Sequence, residues 1–175
     1  MNETISFPDA IATTQNLMTQ MEENKITEEE IEQAIASLVS SKNGARGFFV
    51  AYLTGDLSLA DNPSPGVINA LKSSPELVSE LLVKNLAMSA AMAITHRRNN
   101  DTDNVAGSEK VCRRSAKLIQ KLDLDLIKKN LSQLQTTITT GKGNYTEFLQ
   151  RWGYDSEQQQ AIDKAIGQIS NLGNE

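Results

Sequence analysis

One histidine, one cysteine and one tryptophan are all that this chain contains of those three residue types. A zinc site built from His and Cys needs three or four such ligands, so that chemistry is excluded. The lone cysteine also excludes an internal disulfide framework, and with it the stapled folds of small secreted proteins. Only four prolines and ten glycines punctuate the 175 residues, and no stretch alternates apolar and polar residues between turn signals. Strands and hairpins are therefore not expected. The most apolar run, 77–94, is interrupted by Glu80, Lys84 and Asn85. A spanning helix needs about 20 predominantly apolar residues, so this run reads as a buried core helix and no membrane is expected as a partner. Met1 to Pro8 show no basic region followed by an apolar core, so no signal peptide is expected and the reading is cytoplasmic. Sequons at Asn2, Asn100, Asn130 and Asn144 carry little meaning without secretion.

What remains is ordinary for a soluble globular chain: 39% hydrophobic and 22% charged residues. At about 150 residues a domain buries roughly 70% of its unfolded surface, so the core can form without staples and one domain, 1–175, is the simplest division.

Helical periodicity runs almost throughout. A first segment from about Pro8 carries Ile11, Leu17, Met18 and Met21 and fades at Asn24. Thr27 followed by Glu28, Glu29 and Glu30 reads as a cap with a capping-box glutamate, opening a stripe of Ile31, Ile35, Leu38 and Val39. Asn43-Gly44 reads as its stop. A third helix, 45–54, carries Phe48, Phe49, Tyr52 and Leu53 and ends at Gly55. Ser-Pro pairs at Ser64-Pro65 and Ser74-Pro75 open a short helix and then the longest one, about 76–96, apolar nearly all round. Residues 99–107 read as a polar loop. The stripe Val111, Cys112, Ser115, Leu118, Ile119 and Leu122 follows, then a second stripe from Leu124 to Ile138 out of phase with it, which places a break near Leu122-Asp123. Gly141-Lys142-Gly143 breaks the chain again. Asn144 is expected to cap a short helix bearing Tyr145, Phe148, Leu149 and Trp152, and Asp155 or Ser156 to cap the last, with Ile162, Ala165, Ile169 and Leu172. The expected fold is all-α, a compact irregular bundle of about eight helices around a buried central helix at roughly 76–96.

Charge is unevenly placed. Residues 1–95 hold 5 Lys+Arg and 12 Asp+Glu, residues 96–130 hold 9 and 5, and residues 131–175 hold 3 and 5. A basic helical hairpin, 96–121, thus sits in an acidic protein. If its helices pack antiparallel, Arg97, Arg98, Arg113 and Arg114 approach one another, and Lys110, Arg114, Lys117 and Lys121 share one solvent face. His96, Arg97, Arg98, Lys110, Arg113, Arg114 and Lys117 are the anion-binding candidates, for a phosphate-bearing ligand or an acidic partner. The plain alternative is a solvated face. Nucleic acid is disfavoured, because the chain is acidic and has no dense strip of interleaved aromatic and basic residues.

Other patterns fail on inspection. An EF-hand frame starting at Asp101 places Val105, Ala106 and Cys112 where an oxygen ligand, glycine and glutamate belong. Gly44-Ala45-Arg46-Gly47 matches a GxxG nucleic-acid loop, but no strands accompany it. Gly141-Lys142-Gly143 has no strand before it and no Lys-Ser/Thr after it. His96 as an acid or base needs a partner such as Asp101, Asp103 or Cys112, and Cys112 falls on the apolar face of its helix.

The leading expectation is a non-catalytic α-helical protein that acts by binding a protein partner or by self-association as a homodimer. Arg46, Phe48, Phe49 and Tyr52 are the interface candidates, since adjacent Phe48 and Phe49 point about 100° apart on a helix and one of them is then open to the surface. The alternative is a small-anion or nucleotide-binding regulatory domain using the hairpin 96–121. No cofactor, metal or catalytic residue is assigned.

Overall fold

The structure, a computed structural model, describes residues 4–172, with side chains described through Ile169. Leu172, expected on the last apolar stripe, and the sequon at Asn2 lie outside those described side chains. The elements are α1 (Phe7–Glu22), α2 (Glu28–Leu38), α3 (Lys42–Thr54), a 3-10 turn at Ser58–Asp61, α4 (Pro65–Lys72), α5 (Pro75–Arg98), α6 (Thr102–Leu122), α7 (Asp125–Thr140), α8 (Thr146–Arg151) and α9 (Ser156–Leu172). No strand occurs among the described residues, so the chain is all-α. It divides into two compact units, residues 1–81 and 82–175, and α5 gives its first turns to the first unit and the remainder to the second. Helix α5 is the long buried helix that its composition predicts: Val78, Leu82, Val83, Leu86, Ala87 and Ala91 are fully buried. It is also the one described helix long and apolar enough to cross a membrane, and 56% of its apolar window is buried in the fold.

In the first unit α1 packs on α3, and α2 on α4. Thr27 and Glu30 form the reciprocal capping box expected of α2, with the Glu30 amide donating to Thr27 Oγ1 at 3.2 Å. The stop expected at Asn43-Gly44 falls elsewhere. Helix α2 ends at Leu38, and Ser41 starts α3 by accepting a hydrogen bond from the Gly44 amide at 3.1 Å. A serine cap three residues upstream outcompetes the glycine as a terminator. Gly44 and Gly47 are thus both inside α3, where they allow close approach of backbones: a Cβ at Gly47 would lie 2.9 Å from the Phe7 carbonyl oxygen. Across the other pair, the Glu28 carboxylate accepts a hydrogen bond from the Gly66 amide at 2.8 Å, so α2 satisfies a free donor at the start of α4.

Phe48, Phe49 and Tyr52 are 0%, 1% and 1% exposed. Phe48 stacks on Tyr52 and meets Phe49 edge-on, each at 5.2 Å between ring centroids. The expectation that one of the adjacent phenylalanines stands on the surface is corrected. Gly47 draws α1 against α3, and both rings are covered. Of the four interface candidates only Arg46 is exposed, with its guanidinium 5.1 Å from the Phe7 ring centroid.

The second unit corrects the extent of the loop expected at 99–107. Asp101 accepts a hydrogen bond from the Asn104 amide and starts α6 at Thr102, so only residues 99–101 connect α5 to α6, turning through Asn100 at φ 56°. Sequence patterning sees a polar run here, because the first two turns of α6 carry few apolar residues. The break at Leu122-Asp123 stands: Asp123 is left-handed at φ 49° and caps α6. Asn144 is not the cap of α8: Tyr145 stands at that position with no side-chain cap hydrogen bond, and its own amide donates to Thr137 Oγ1 of α7 at 3.3 Å. Asp155 and Gln158 cap α9 reciprocally, each side chain accepting the other's amide at 3.0 Å. The core of this unit is Leu82, Leu86, Leu118, Leu122, Ile127, Leu134 and Ile162.

Candidate functional site

The last turns of α5 are fastened to α6 and α9 by polar contacts. Gln158, only 6% exposed, donates to Thr95 Oγ1 at 2.9 Å and to the Ala91 carbonyl at 3.2 Å. Arg98 forms a fork on Asp155 at 2.8 and 3.2 Å and reaches Glu157 at 3.3 Å. The Arg98 hydrogen bonds, with help from the Gln158 amide, hold the Asp155 carboxyl below its ordinary range. Arg97, one residue earlier and turned to a different side, pairs with Glu109 of α6.

These contacts frame a cleft of about 530 Å³ between α5, α6 and α9. Helix α9 lines it with one face along three turns, from Glu157 through Gln160, Ala161, Lys164 and Ala165 to Gln168. Helix α5 contributes small apolar residues, with Ala90 and Ala93 nearly buried, and Arg97 at its end. Helix α6 contributes Glu109, Cys112 and Arg113. The lining therefore carries three bases and two acids around an apolar, alanine-rich wall. Both acids are engaged, Glu109 by Arg97 and Glu157 by Arg98. Arg113 and Lys164 are exposed and make no ion pair among the described residues.

Cys112 stands on this wall, half-buried, where the sequence placed it toward the core. Burial pushes its thiol above the ordinary value, against a hydrogen bond with Ser89 and the nearby Arg113 charge. It is therefore a neutral thiol at pH 7.

The seven anion candidates separate. Arg97 and Arg113 line the cleft, and Arg98 acts on it only through Glu157. The four arginines do not form one cluster. Arg114 is 3% exposed and engaged by its surroundings, and Lys110 and Lys117 are half-buried, so the expected solvent face of Lys110, Arg114, Lys117 and Lys121 is corrected; only Lys121 is open. Arg114 lies next to Ser115 and one turn before Leu118, both fully buried, so it falls at the edge of the buried face of α6 rather than opposite it. His96 is half-buried in the last turn of α5, outside the cleft lining; Asp101, held low mainly by Asn104, also feels its charge. Among the described residues no three His, Cys, Asp or Glu side chains gather where a metal ion fits.

Sequence reasoning missed Lys164. The available signal was the polar stripe Gln160, Lys164 and Gln168 at i, i+4 and i+8, beside the small residues Ala161 and Ala165. It also expected Trp152 within the short helix of Tyr145, Phe148 and Leu149, whereas Trp152 follows the end of α8 and is 51% exposed, with Arg151 at 5.9 Å from its ring.

No curated protein and no solved structure matches the chain. Residues 6–169 match the model of a family described as Uncharacterised conserved protein UCP020893, and the chain belongs to that family.

Proposed function

We propose that the protein is a non-catalytic binding domain and that its ligand is a small anion seated in the cleft between α5, α6 and α9. One observation carries the reading. Both carboxylates that face the cleft are engaged, Glu109 by Arg97 and Glu157 by the Arg98 that it shares with Asp155, while Arg113 and Lys164 stand at its edge with no ion pair among the described residues. An uncommitted guanidinium and an ammonium beside a concave wall attract an anion, and the guanidinium fork suits planar or tetrahedral oxyanions. The cleft volume, about 530 Å³, falls in the range of about 300–1,000 Å³ typical of small-molecule sites. The basic hairpin 96–121 thus contributes through Arg97 and Arg113, and α9 completes the site.

Thermal unfolding in rising inorganic phosphate tests the reading. A specific site stabilises by RT ln(1 + [L]/Kd), so the midpoint rises with phosphate beyond its rise in a sulfate-free control of equal ionic strength. The excess disappears in an Arg113→Gln, Lys164→Gln double variant. Equal midpoints for the two proteins at every phosphate concentration remove the proposal.

A second reading is that the protein acts through a protein partner or as a homodimer. It is supported by Trp152, an exposed tryptophan beside an arginine, the pair of residue types enriched at binding hot spots. Light scattering with size exclusion at high concentration tests the dimer, and a strictly monomeric mass removes it. Trp152→Ser lowers the mass of any dimer formed through that face.

A further inference from the structure

We infer that the ligand of this cleft is a phosphate monoester carrying an apolar organic body, rather than inorganic phosphate or a simple carboxylate. The inference rests on the anion reading above and narrows it to a chemical class.

Donor count makes the first distinction. Glu109 is engaged by Arg97, and Glu157 shares Arg98 with Asp155, while Arg113 and Lys164 remain on the lining as two bases with no ion pair among the described residues. A carboxylate has two oxygens, which one guanidinium fork occupies, and it leaves the ammonium without an acceptor. A phosphate monoester supplies about −1.5 to −2 at pH 7, with three acceptor oxygens. That matches one guanidinium fork and one ammonium.

Size and lining make the second. A single phosphate group fills a small part of a cleft of about 530 Å³. The α9 face from Glu157 to Gln168 extends about 16 Å at 1.5 Å per residue. Along it the wall is built from Ala161 and Ala165, opposite Ala90, Ala93 and Ile94 of α5. Small side chains leave room beside the helix backbones, and their methyl groups favour an apolar body by removing its surface from water. The bases are exposed and the alanines of α5 nearly buried, which puts the phosphate at the rim and the body inward. Gln160 and Gln168 add hydrogen-bonding amides without adding charge.

Calorimetric titration of the full chain with four probes tests this: phenyl phosphate, glycerol 2-phosphate, inorganic phosphate and benzoate. Phenyl phosphate is expected to bind about tenfold tighter than each of the other three, the gain of burying a ring added to that of giving both bases an acceptor. Arg113→Gln with Lys164→Gln brings phenyl phosphate down to the level of benzoate. Ala161→Phe fills the wall and removes the advantage of phenyl phosphate over inorganic phosphate. Circular dichroism and an unchanged unfolding midpoint certify that each variant is folded; Arg113 and Lys164 are exposed, so their loss spares the core. If phosphate and phenyl phosphate bind equally and both depend on Arg113 and Lys164, the apolar body is wrong and the anion site stands. Benzoate matching phenyl phosphate overturns the phosphate group and leaves an anion site with an apolar wall. Failure of all four probes overturns the class and the anion reading together.

Discussion

A methyl group at Gly44 would sit 2.0 Å from the Leu38 carbonyl oxygen, whereas one at Gly107 meets nothing within 4 Å. Both glycines lie inside helices, so helix propensity favours alanine at each by about 0.5–1 kcal/mol. At Gly44 the backbone of α2 opposes that gain, and relieving the overlap costs about 1–3 kcal/mol. Gly44→Ala should therefore lower the urea midpoint and Gly107→Ala raise it. Matching shifts in one direction would show that propensity alone governs both sites. Tyr154 offers a second measurement at this scale. Burial pushes its phenol up to about 12. The raised value means that the folded state favours the neutral phenol. Its contribution to stability is complete below the ordinary tyrosine value near 10 and is lost as pH rises toward 12. Alkaline difference spectra of the wild type should show a phenolate step near 12 that is missing from Tyr154→Phe, and a step for Tyr154 near 10 contradicts its burial.

Caps decide where the helices begin, and they separate what could be read in advance from what could not. Thr27 with Glu30 was legible because both halves of the capping box are local in sequence. Asp101 was not, because an acidic residue in a run of Asn, Asp and Thr reads as loop until Asn104 is seen donating to it. Apolar stripes likewise gave α1, α5 and the break at Asp123, since spacing along one helix is a property of that helix alone. The cleft is different. It depends on how three helices are rotated about their axes, and so Lys164 and the pairing of Arg97 with Glu109 had no local signature. Thr27→Ala should destabilise by about 1 kcal/mol, the usual value of a lost N-cap. Gln158→Ala should do more, about 1–3 kcal/mol, because it removes the acceptor for the Asp155 amide together with two bonds to α5. Hydrogen exchange localises the effect: the amides of Gln158 and Gln159 should exchange faster while those of α7 keep their protection. Uniform acceleration through the second unit would mean that Gln158 supports the whole core rather than the start of α9.

At the scale of the whole chain, the net charge of −5 conceals a division: residues 1–81 hold 4 Lys+Arg and 12 Asp+Glu, and residues 82–175 hold 13 and 10. The cleft lies entirely in the basic portion, whose charge balance is opposite in sign to the total. Arg113 and Lys164 are exposed, and salt screens exposed charges effectively: the Debye length falls from about 10 Å at 0.1 M to about 3 Å at 1 M. The alanine-lined wall responds in the opposite sense, because salts excluded from apolar surface strengthen burial. Ionic strength therefore separates the two halves of the proposed recognition. Phenyl phosphate affinity should fall several-fold between 0.05 and 0.5 M sodium chloride, roughly the loss of one screened pair at the surface. In the Arg113→Gln, Lys164→Gln double variant the residual affinity should be flat or rise slightly over the same range. A wild-type affinity indifferent to salt would place the binding energy on the wall and leave the two bases as solvated surface charges.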